Sequence, residues 1–191
     1  MKDRCSWCSG SPEYIEYHDT EWGVPVYDDK KLFEMLILEG AQAGLSWITI
    51  LKRRDSYRLA YDSFEPEKIA EWSDEKINEL LNNPGIIRNR LKVESARQNA
   101  KAYLKTIEDC GAFSSFLWEF VGGTPVLNKY ESLSDVPAKT KESEAMSKAL
   151  QKRGFKFVGP TICYAFMQAV GMVNDHLVTC FRYKEIANLY E

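Results

Sequence analysis

The chain has 191 residues, of which 45% are hydrophobic and 28% are charged. This length suits one ordinary domain with a substantial core, and the composition excludes disordered and fibrous proteins. The formal net charge of −3 argues weakly against a nucleic-acid-binding protein, because that class favours basic surfaces.

The charge is unevenly distributed along the chain. Basic residues concentrate in three stretches, at 52–58, 88–105 and 148–156, whereas acids gather from Asp62 to Glu79. A single basic run on a helix is usually a solvated face. Three such runs in an otherwise acidic chain indicate a surface that binds a polyanion.

Nothing in the sequence predicts export or membrane insertion. The chain does not open with a basic region, an apolar stretch and a cleavage site. The longest nearly apolar stretch, Thr161–Val173, is too short to span a bilayer. The five cysteines are irregularly spaced, which favours metal ligands or small buried residues over a disulfide framework. We therefore expect a cytoplasmic protein.

Helical periodicity begins within the first twenty residues. Ser11 and Pro12 form an N-cap and first-turn pair, which predicts a helix to about Asp19. Asp28 caps a longer predicted helix that ends near Gly40–Gly44.

Ser46 starts another predicted helix, with an apolar stripe that includes Trp47. The stretch Gly122–Lys141 is rich in turn-forming residues and is predicted to be a loop or linker, with one ambiguous strand-like piece at Thr124–Leu127. Further helices are predicted over Pro66–Trp72, Asp74–Leu81, Arg88–Ile107, Phe113–Phe120, Glu142–Arg153 and Pro160–Val170. No repeat appears, so we expect one all-α domain over residues 1–191, with two lobes around a cleft as one possible arrangement.

The only two histidines take part in a candidate metal site. His176 and Cys180 are four residues apart and would share one face of a helix, while Cys5 and His18 lie near the other end of the chain. Two thiolates and two imidazoles suit zinc, and such a site would be structural and would join both ends of the chain. Cys8 leaves an alternative open, because Cys5-x-x-Cys8 is itself a ligand pair.

A tight helical hairpin is predicted between residues 152 and 161. Gly154 suits the position after the first helix, and Gly159 with Pro160 opens the next one. Free N–H groups at that helix start, flanked by Lys156, would bind a phosphate without reading sequence.

Glu39 falls on the apolar face of its predicted helix, four residues after Met35 and three after Leu36. Burying a carboxylate costs several kcal/mol unless it is hydrogen-bonded or faces a cation. We therefore expect Glu39 either to cap or leave the helix face, or to meet a positively charged partner.

Several motifs together resemble the bacterial DNA-3-methyladenine glycosylase I family, within the helix-hairpin-helix DNA glycosylases. The likeness runs from about Arg4 to Cys180. The motifs that carry it are Cys5, YIEYHDTEWG at 14–23, LEGAQAGLSW at 38–47, RGFKFVGPT at 153–161 and VNDHL at 173–177.

The resemblance implies one structural zinc ion held by Cys5, His18, His176 and Cys180, with Cys8 as a bystander. It also implies that Glu39 is the catalytic residue, which contributes chiefly by recognising a flipped-out cationic base and has orientation of water as a secondary role. The aromatic residues expected around that base are Trp7, Tyr14, Tyr17, Trp22 and Trp47. The residues expected to contact DNA are Leu45, Lys156, Gly159 and Thr161, with Leu45 filling the space that the base leaves.

The activity implied is hydrolysis of the N-glycosidic bond of 3-methyladenine in alkylated double-stranded DNA, which releases the free base. We expect a monomer that does not contact membranes. We expect no strand cleavage, because no lysine stands in a Schiff-base position. One alternative is a non-catalytic reader of damaged DNA with the same fold, and another is a zinc-stapled helical protein that binds only proteins.

One position departs from the wider superfamily. Many helix-hairpin-helix glycosylases place a catalytic aspartate just after the second helix of the hairpin. Here that position is Asn174, and Asp175 is expected to point elsewhere on a helical turn. A conventional aspartate base is therefore in doubt.

Overall fold

The computed structural model describes residues 3–189, and this part of the chain is mostly helical. The α-helices are α1 (Pro12–Thr20), α2 (Asp29–Gln42), α3 (Trp47–Leu51), α4 (Arg54–Ala60), α5 (Pro66–Ala70), α6 (Asp74–Leu81), α7 (Arg90–Cys110), α8 (Phe113–Trp118), α9 (Lys141–Lys152), α10 (Pro160–Ala169) and α11 (Phe181–Ala187). Short 3-10 turns cover Ser6–Cys8, Asp62–Phe64, Glu119–Val121 and Leu133–Asp135. Within residues 3–189, no helix is long and apolar enough to cross a membrane.

The predicted helix caps are confirmed. The Ser11 side chain accepts a hydrogen bond from the Tyr14 N–H, and Asp28 accepts one from the Lys31 N–H. These bonds satisfy N–H groups that have no partner within the helix.

Helix α2 lies at the centre of the fold. Every residue from Leu32 to Ala41 is buried, including Glu34 and Glu39. A helix that is buried on all sides must be covered by neighbours, and α2 packs against α7 and α10. This burial places Glu39, near the carboxyl end of α2, inside the molecule.

The all-α expectation needs one small correction. Val126–Leu127 (β1) and Val173–Asn174 (β2) pair as a two-stranded parallel sheet, with Val126 opposite Val173. The strand-like piece predicted near β1 is real. The stretch that contains it is a loop, as expected, but the sheet ties it to the segment that follows α10.

The segment that carries the last two candidate metal ligands is not helical. Residues 175–180 form bends and turns between β2 and α11. The expected shared helical face of His176 and Cys180 is therefore wrong, although both side chains reach one site. Helices α4 and α11 were not predicted.

Candidate active site and metal centre

A cavity of about 370 Å³ opens between the first three helices on one side and α10 with the loop before α9 on the other. It is lined by Trp7, Tyr14, Tyr17, Trp22, Glu39, Gln42, Trp47, Leu133, Val136, Pro137, Ala138, Thr161, Tyr164, Ala165, Gln168 and Asp175. Its volume lies within the range of small-molecule sites, about 300–1,000 Å³. The structure thus brings Glu39 and all five aromatic residues expected near it to one cavity.

The aromatic side chains form two contacting groups in the cavity wall. Tyr17 lies one turn after Tyr14 on α1, and its ring centroid is 5.5 Å from that of Trp47 at the start of α3. Trp7 contacts Tyr14 and Trp22 edge-on, with centroids 5.1 and 5.0 Å apart. The cavity therefore presents aromatic surface from three separate parts of the chain.

Glu39 is the unusual residue of the cavity. Its side chain is 3% exposed, and burial raises its pKa from the ordinary 4.5 to about 8. Its Oε2 atom has no hydrogen-bond partner within residues 3–189. A buried polar atom without a partner carries a desolvation cost of about 1–3 kcal/mol, and a ligand in the cavity can remove that cost.

The cavity also offers hydrogen-bond donors. Trp47 Nε1 is buried and, in the described chain, without a partner. The pKa values of Tyr14 and Tyr17 are raised, first by burial and second by the nearby Glu39, so both remain neutral phenols. An unpaired acceptor and an unpaired indole donor in one aromatic cavity suit a flat, nitrogen-rich ring.

Asp175 was expected to point elsewhere, and that expectation is wrong. Asn174 lies in β2 and donates to the Tyr183 carbonyl, while Asp175 lines the cavity. Successive residues of an extended strand face opposite sides, whereas the prediction assumed a helical turn.

The Asp175 carboxylate is buried and fully bonded. It accepts hydrogen bonds from Tyr164 Oη (2.6 Å), Gln168 Nε2 (2.8 Å) and Asn128 Nδ2 (2.7 Å). Asn128 follows β1, so these bonds join the loop before α9 to the cavity wall. Asp175 is a cavity residue that sequence reasoning missed.

Other cavity residues were missed as well. Gln42 follows Glu39 by three residues on α2, a helical spacing that could have identified it. Leu133 and residues 136–138 belong to the loop predicted only as a linker, and they line one side of the cavity. No local pattern marks a loop that folds over a site.

The hairpin between α9 and α10 has the predicted turn. Gly154 has φ +93°, and the N–H groups of Gly154 and Phe155 donate to the carbonyls of Gln151 and Leu150. Gly159 precedes α10, and a Cβ atom placed there would meet no atom within 4 Å. The N-terminus of α10 is therefore open to a ligand.

The four expected DNA contacts lie at or near the surface. Lys156 and Thr161 are exposed, Gly159 is half-buried, and Leu45 is 41% exposed in a turn that contains Gly44 (φ +76°). Of the four, only Thr161 also lines the cavity.

The four candidate metal ligands converge at one buried point. The ligand atoms of Cys5, His18, His176 and Cys180 all lie within 4.8 Å of one another. Cys180 Sγ is 3.5 Å from His18 Nε2 and 3.7 Å from His176 Nδ1, and Cys5 Sγ is 3.8 Å from His176 Nδ1. Bond lengths of about 2.0–2.3 Å in a tetrahedral site place neighbouring ligand atoms about 3.3–3.8 Å apart. The group can hold a metal ion.

The outer nitrogen of each imidazole has an acceptor. His18 Nδ1 lies 2.8 Å from Asp19 Oδ1, and His176 Nε2 lies 3.0 Å from the Trp22 carbonyl. Because both acceptors are oxygens, each imidazole donates its proton outward and turns its lone pair toward the thiols. This is the usual arrangement around a metal-bound histidine.

The same contacts connect the metal centre to the cavity. Tyr17 precedes His18 on α1, and Trp22 accepts the His176 hydrogen bond, so two cavity residues are fixed by the ligand group. Asp19 is held in turn by Arg4, whose guanidinium lowers the pKa of the Asp19 carboxyl to about 2.

Cys8 does not join the ligand group. It is buried, and its Sγ donates to the Cys5 carbonyl at 3.1 Å. The Cys5-x-x-Cys8 spacing left Cys8 open as an alternative ligand, and the structure places Cys8 outside the ligand group.

Comparison with known proteins gives one consistent match. The methyladenine glycosylase family model matches residues 7–183. The DNA-3-methyladenine glycosylase 1 of Escherichia coli K12 is 52% identical over 181 residues, which is 95% of this chain and 97% of that protein.

Solved structures agree with this match. A crystal structure of 3-methyladenine DNA glycosylase I has a TM-score of 0.92 and 52% identity, covering 94% of this chain and 98% of that one. A Staphylococcus aureus 3-methyladenine DNA glycosylase I, solved to show how it recognises 3-methyladenine, has a TM-score of 0.91 and 41% identity over 93% and 95%. The chain belongs to the methyladenine glycosylase family.

Proposed function

We propose that the chain is a DNA-3-methyladenine glycosylase, which hydrolyses the N-glycosidic bond of 3-methyladenine in alkylated double-stranded DNA and releases the free base. The observation that carries this proposal is the buried carboxyl of Glu39 in an aromatic cavity. The relatives of this chain are named for the same lesion, 3-methyladenine.

Charge gives the cavity its selectivity. Methylation of adenine at ring nitrogen 3 makes the purine cationic, and its exocyclic amine still donates hydrogen bonds. The unpaired Glu39 Oε2 accepts such a bond, and a cation favours the ionised carboxylate that burial alone disfavours. Neutral adenine provides no such compensation.

The aromatic walls add to this preference. We assign Tyr17 and Trp47 to the faces of the flipped base, with Trp7, Tyr14 and Trp22 around them. An electron-rich ring attracts a cationic purine by stacking and by cation–π contact, about 1–3 kcal/mol for each base stacked. A neutral purine gains only the stacking part.

The chemistry needs little from the protein beyond this binding. When the bond between the sugar and the base breaks, its electron pair neutralises the cationic purine, so the leaving group needs no proton. Water then adds to the sugar carbon and loses a proton. Glu39 acts chiefly by holding the labile base. Among residues 3–189, no lysine lines the cavity, which supports a monofunctional glycosylase.

DNA is held through a helix-hairpin-helix motif formed by α9 and α10. Open N–H groups at the start of α10 bind a backbone phosphate, with Gly159 allowing close approach and Lys156 adding charge. Thr161 stands between this contact and the cavity. Extruding a nucleotide costs a few kcal/mol, and Leu45 fills the space that it leaves.

The metal is a structural zinc ion. Cys5, His18, His176 and Cys180 would hold it in a closed site that supplies no catalytic step. All four are protein ligands, both imidazole protons already have acceptors, and the separations suit a tetrahedron. The chain forms a single domain that acts as a monomer.

Release of free base from methylated DNA tests the proposal. Wild-type protein is expected to release 3-methyladenine from alkylated duplex DNA, and Glu39→Gln is expected to release it about 100-fold more slowly. Glu67→Gln, at an exposed position on α5, is the matched control. Binding of damaged DNA without base release would instead identify a non-catalytic reader.

A further inference from the structure

The carboxyl end of α2 is held by a lysine from another helix. Lys92 on α7 donates from Nζ to the carbonyls of Ala41 (2.9 Å) and Ala43 (2.6 Å). Carbonyls at a helix end have no intrahelical partner, and the helix dipole favours a cation there. Lys92 therefore fixes the backbone just before the turn at Gly44 and Leu45.

Lys92 is placed for this task and not for a surface ion pair. Its side chain is half-buried, and within residues 3–189 its ammonium makes no ion pair with an acid. Burial lowers its pKa. Partial burial of the Lys92 ammonium costs free energy, but its two hydrogen bonds hold the main chain at Ala41 and Ala43 in place.

The segment that Lys92 holds joins the cavity to the exposed surface. Gln42 and Trp47 line the cavity on either side of the turn, while Leu45 between them is 41% exposed. The turn is tight, because Leu45 N–H donates to the Gln42 carbonyl at 2.6 Å. A shift of this backbone would move Leu45.

The same face of α7 also holds the hairpin. Asn99 lies seven residues after Lys92, about 10 Å along the helix axis. Its buried amide accepts from the Lys156 N–H (2.7 Å) and donates to the Lys156 carbonyl (3.0 Å). One rigid helix thus positions both the Leu45 turn and the hairpin.

We propose that Lys92 is a positioning residue for base extrusion: it holds the Leu45 turn at a fixed distance from the hairpin, so that Leu45 enters the base stack while the hairpin grips the phosphates. This inference rests on the proposed function. Lys92 itself contacts neither the lesion nor the sugar.

Lys92→Met tests the proposal against Lys105→Met. Lys105 lies on the same helix, is exposed and pairs with Glu108. Single-turnover excision is measured with the lesion paired in a duplex and with the lesion unpaired in a bulge, where extrusion costs less. Binding of free 3-methyladenine is followed by tryptophan fluorescence.

We expect Lys92→Met to slow excision of the paired lesion about 10–100-fold, a loss typical of a misplaced group. Excision from the bulge and binding of the free base should stay near wild type, as should all readouts of Lys105→Met. Equal loss on both substrates, or no loss, overturns the proposal. A wild-type protein that releases no base from either substrate would instead refute the proposed function.

Leu45→Ala provides a second, independent route. Its side chain is exposed, so this variant is expected to fold and to show the same selective loss on the paired lesion. If both residues act through one turn, Lys92→Met should add little loss in the Leu45→Ala background. Fully additive losses would contradict a shared role.

Discussion

At the scale of single residues, Glu39 places an ionisable carboxyl inside the core, where its burial does not stabilise the folded protein. The surrounding core removes water from the carboxyl, and no described neighbour donates to its Oε2. The cation recognition that we propose for Glu39 would thus come at the expense of stability in the free protein, a common relation between function and stability.

Glu39→Gln should therefore stabilise the protein in a pH-dependent way. The pKa of Glu39 is about 8 in the folded state against an ordinary 4.5. Folding thus favours the protonated form, and stability is lost as the pH rises from 4.5 to 8. The gain in unfolding free energy should be small near pH 5 and a few kcal/mol above pH 8.

Urea unfolding of Glu39→Gln and Glu67→Gln at two pH values measures this effect. The exposed Glu67 should give no comparable gain at either pH. If Glu39→Gln gains the same unfolding free energy at both pH values, the assignment of a buried carboxyl with a raised pKa is wrong.

The same titration should appear in the activity. Recognition of a cationic base needs ionised Glu39, so kcat/KM should rise with pH and level off above about 8. The slope below that value should be about tenfold per pH unit. Glu39→Gln, which cannot ionise, should give a flat profile over the same range. A flat wild-type profile would show that the charge of Glu39 does not select the lesion.

The sequence alone predicted where Glu39 lies on its helix, but not that its carboxyl lacks a hydrogen-bond partner. Helical spacing puts it on the apolar face with Met35 and Leu36, and the structure confirms its burial. Glu39 Oε2 is unpaired because no other described segment places a hydrogen-bond donor beside it, and a local sequence pattern does not show this. Asp175 was misplaced because a strand was taken for a helical turn.

At the scale of elements, the two hairpin glycines have different physical roles. Gly154 has φ +93° and ends α9, a conformation that disfavours any side chain. Gly159 has φ −63° and open space before it. The first glycine serves the fold, and the second has the role in DNA approach that we propose for it.

Alanine substitutions should separate these roles. Gly154→Ala should lower the unfolding free energy by about 1 kcal/mol. Gly159→Ala should cost little stability yet weaken DNA binding, because its methyl group occupies the approach path. Thermal unfolding and DNA titration measure the two effects. If Gly159→Ala binds DNA as well as wild type does, the assignment of a DNA phosphate to the start of α10 is wrong.

Short elements set the limit of what sequence could predict at this scale. Helix α4 was not predicted. The sequence places its Arg54 and Arg58 in a basic run that indicates a polyanion-binding surface, whereas in the structure they pair with Glu21 and Glu34 from distant segments. The long helices were found, since their periodicity and caps are local.

At the scale of the whole molecule, the ligand cluster joins segments about as far apart as the chain allows. Cys5 and His176 are 171 positions apart, and His18 and Cys180 are 162 apart. Closing so long a loop costs conformational entropy, and a metal that bridges it stabilises the folded state.

Removing one ligand should therefore destabilise the entire protein. Cys5→Ser should lose its zinc and several kcal/mol of unfolding free energy. Cys8→Ser, at a buried cysteine outside the cluster, should keep one zinc per chain. Metal analysis by atomic emission and thermal unfolding compare the two. Equal zinc content in both variants would contradict the ligand assignment.

The residue types pointed to this cluster correctly, although the helix assumed for His176 and Cys180 does not exist. Ligand chemistry limits the choice to two histidines and few cysteines, whereas the path of the backbone between them is set by β2 and α11. The overall helical fold was similarly predictable, and the small sheet was not.

The long sequence separation within the ligand cluster bears on how the chain assembles during synthesis. Trp7, Tyr14 and Tyr17 leave the ribosome early, but the carbonyl contact that fixes Trp22 and the thiol that completes the ligand group arrive only with His176 and Cys180. On the proposed zinc assignment, a chain that is still being synthesised contains these aromatic residues before it contains the whole ligand group. The cavity and the metal centre are therefore expected to assemble only after His176 and Cys180 have been made.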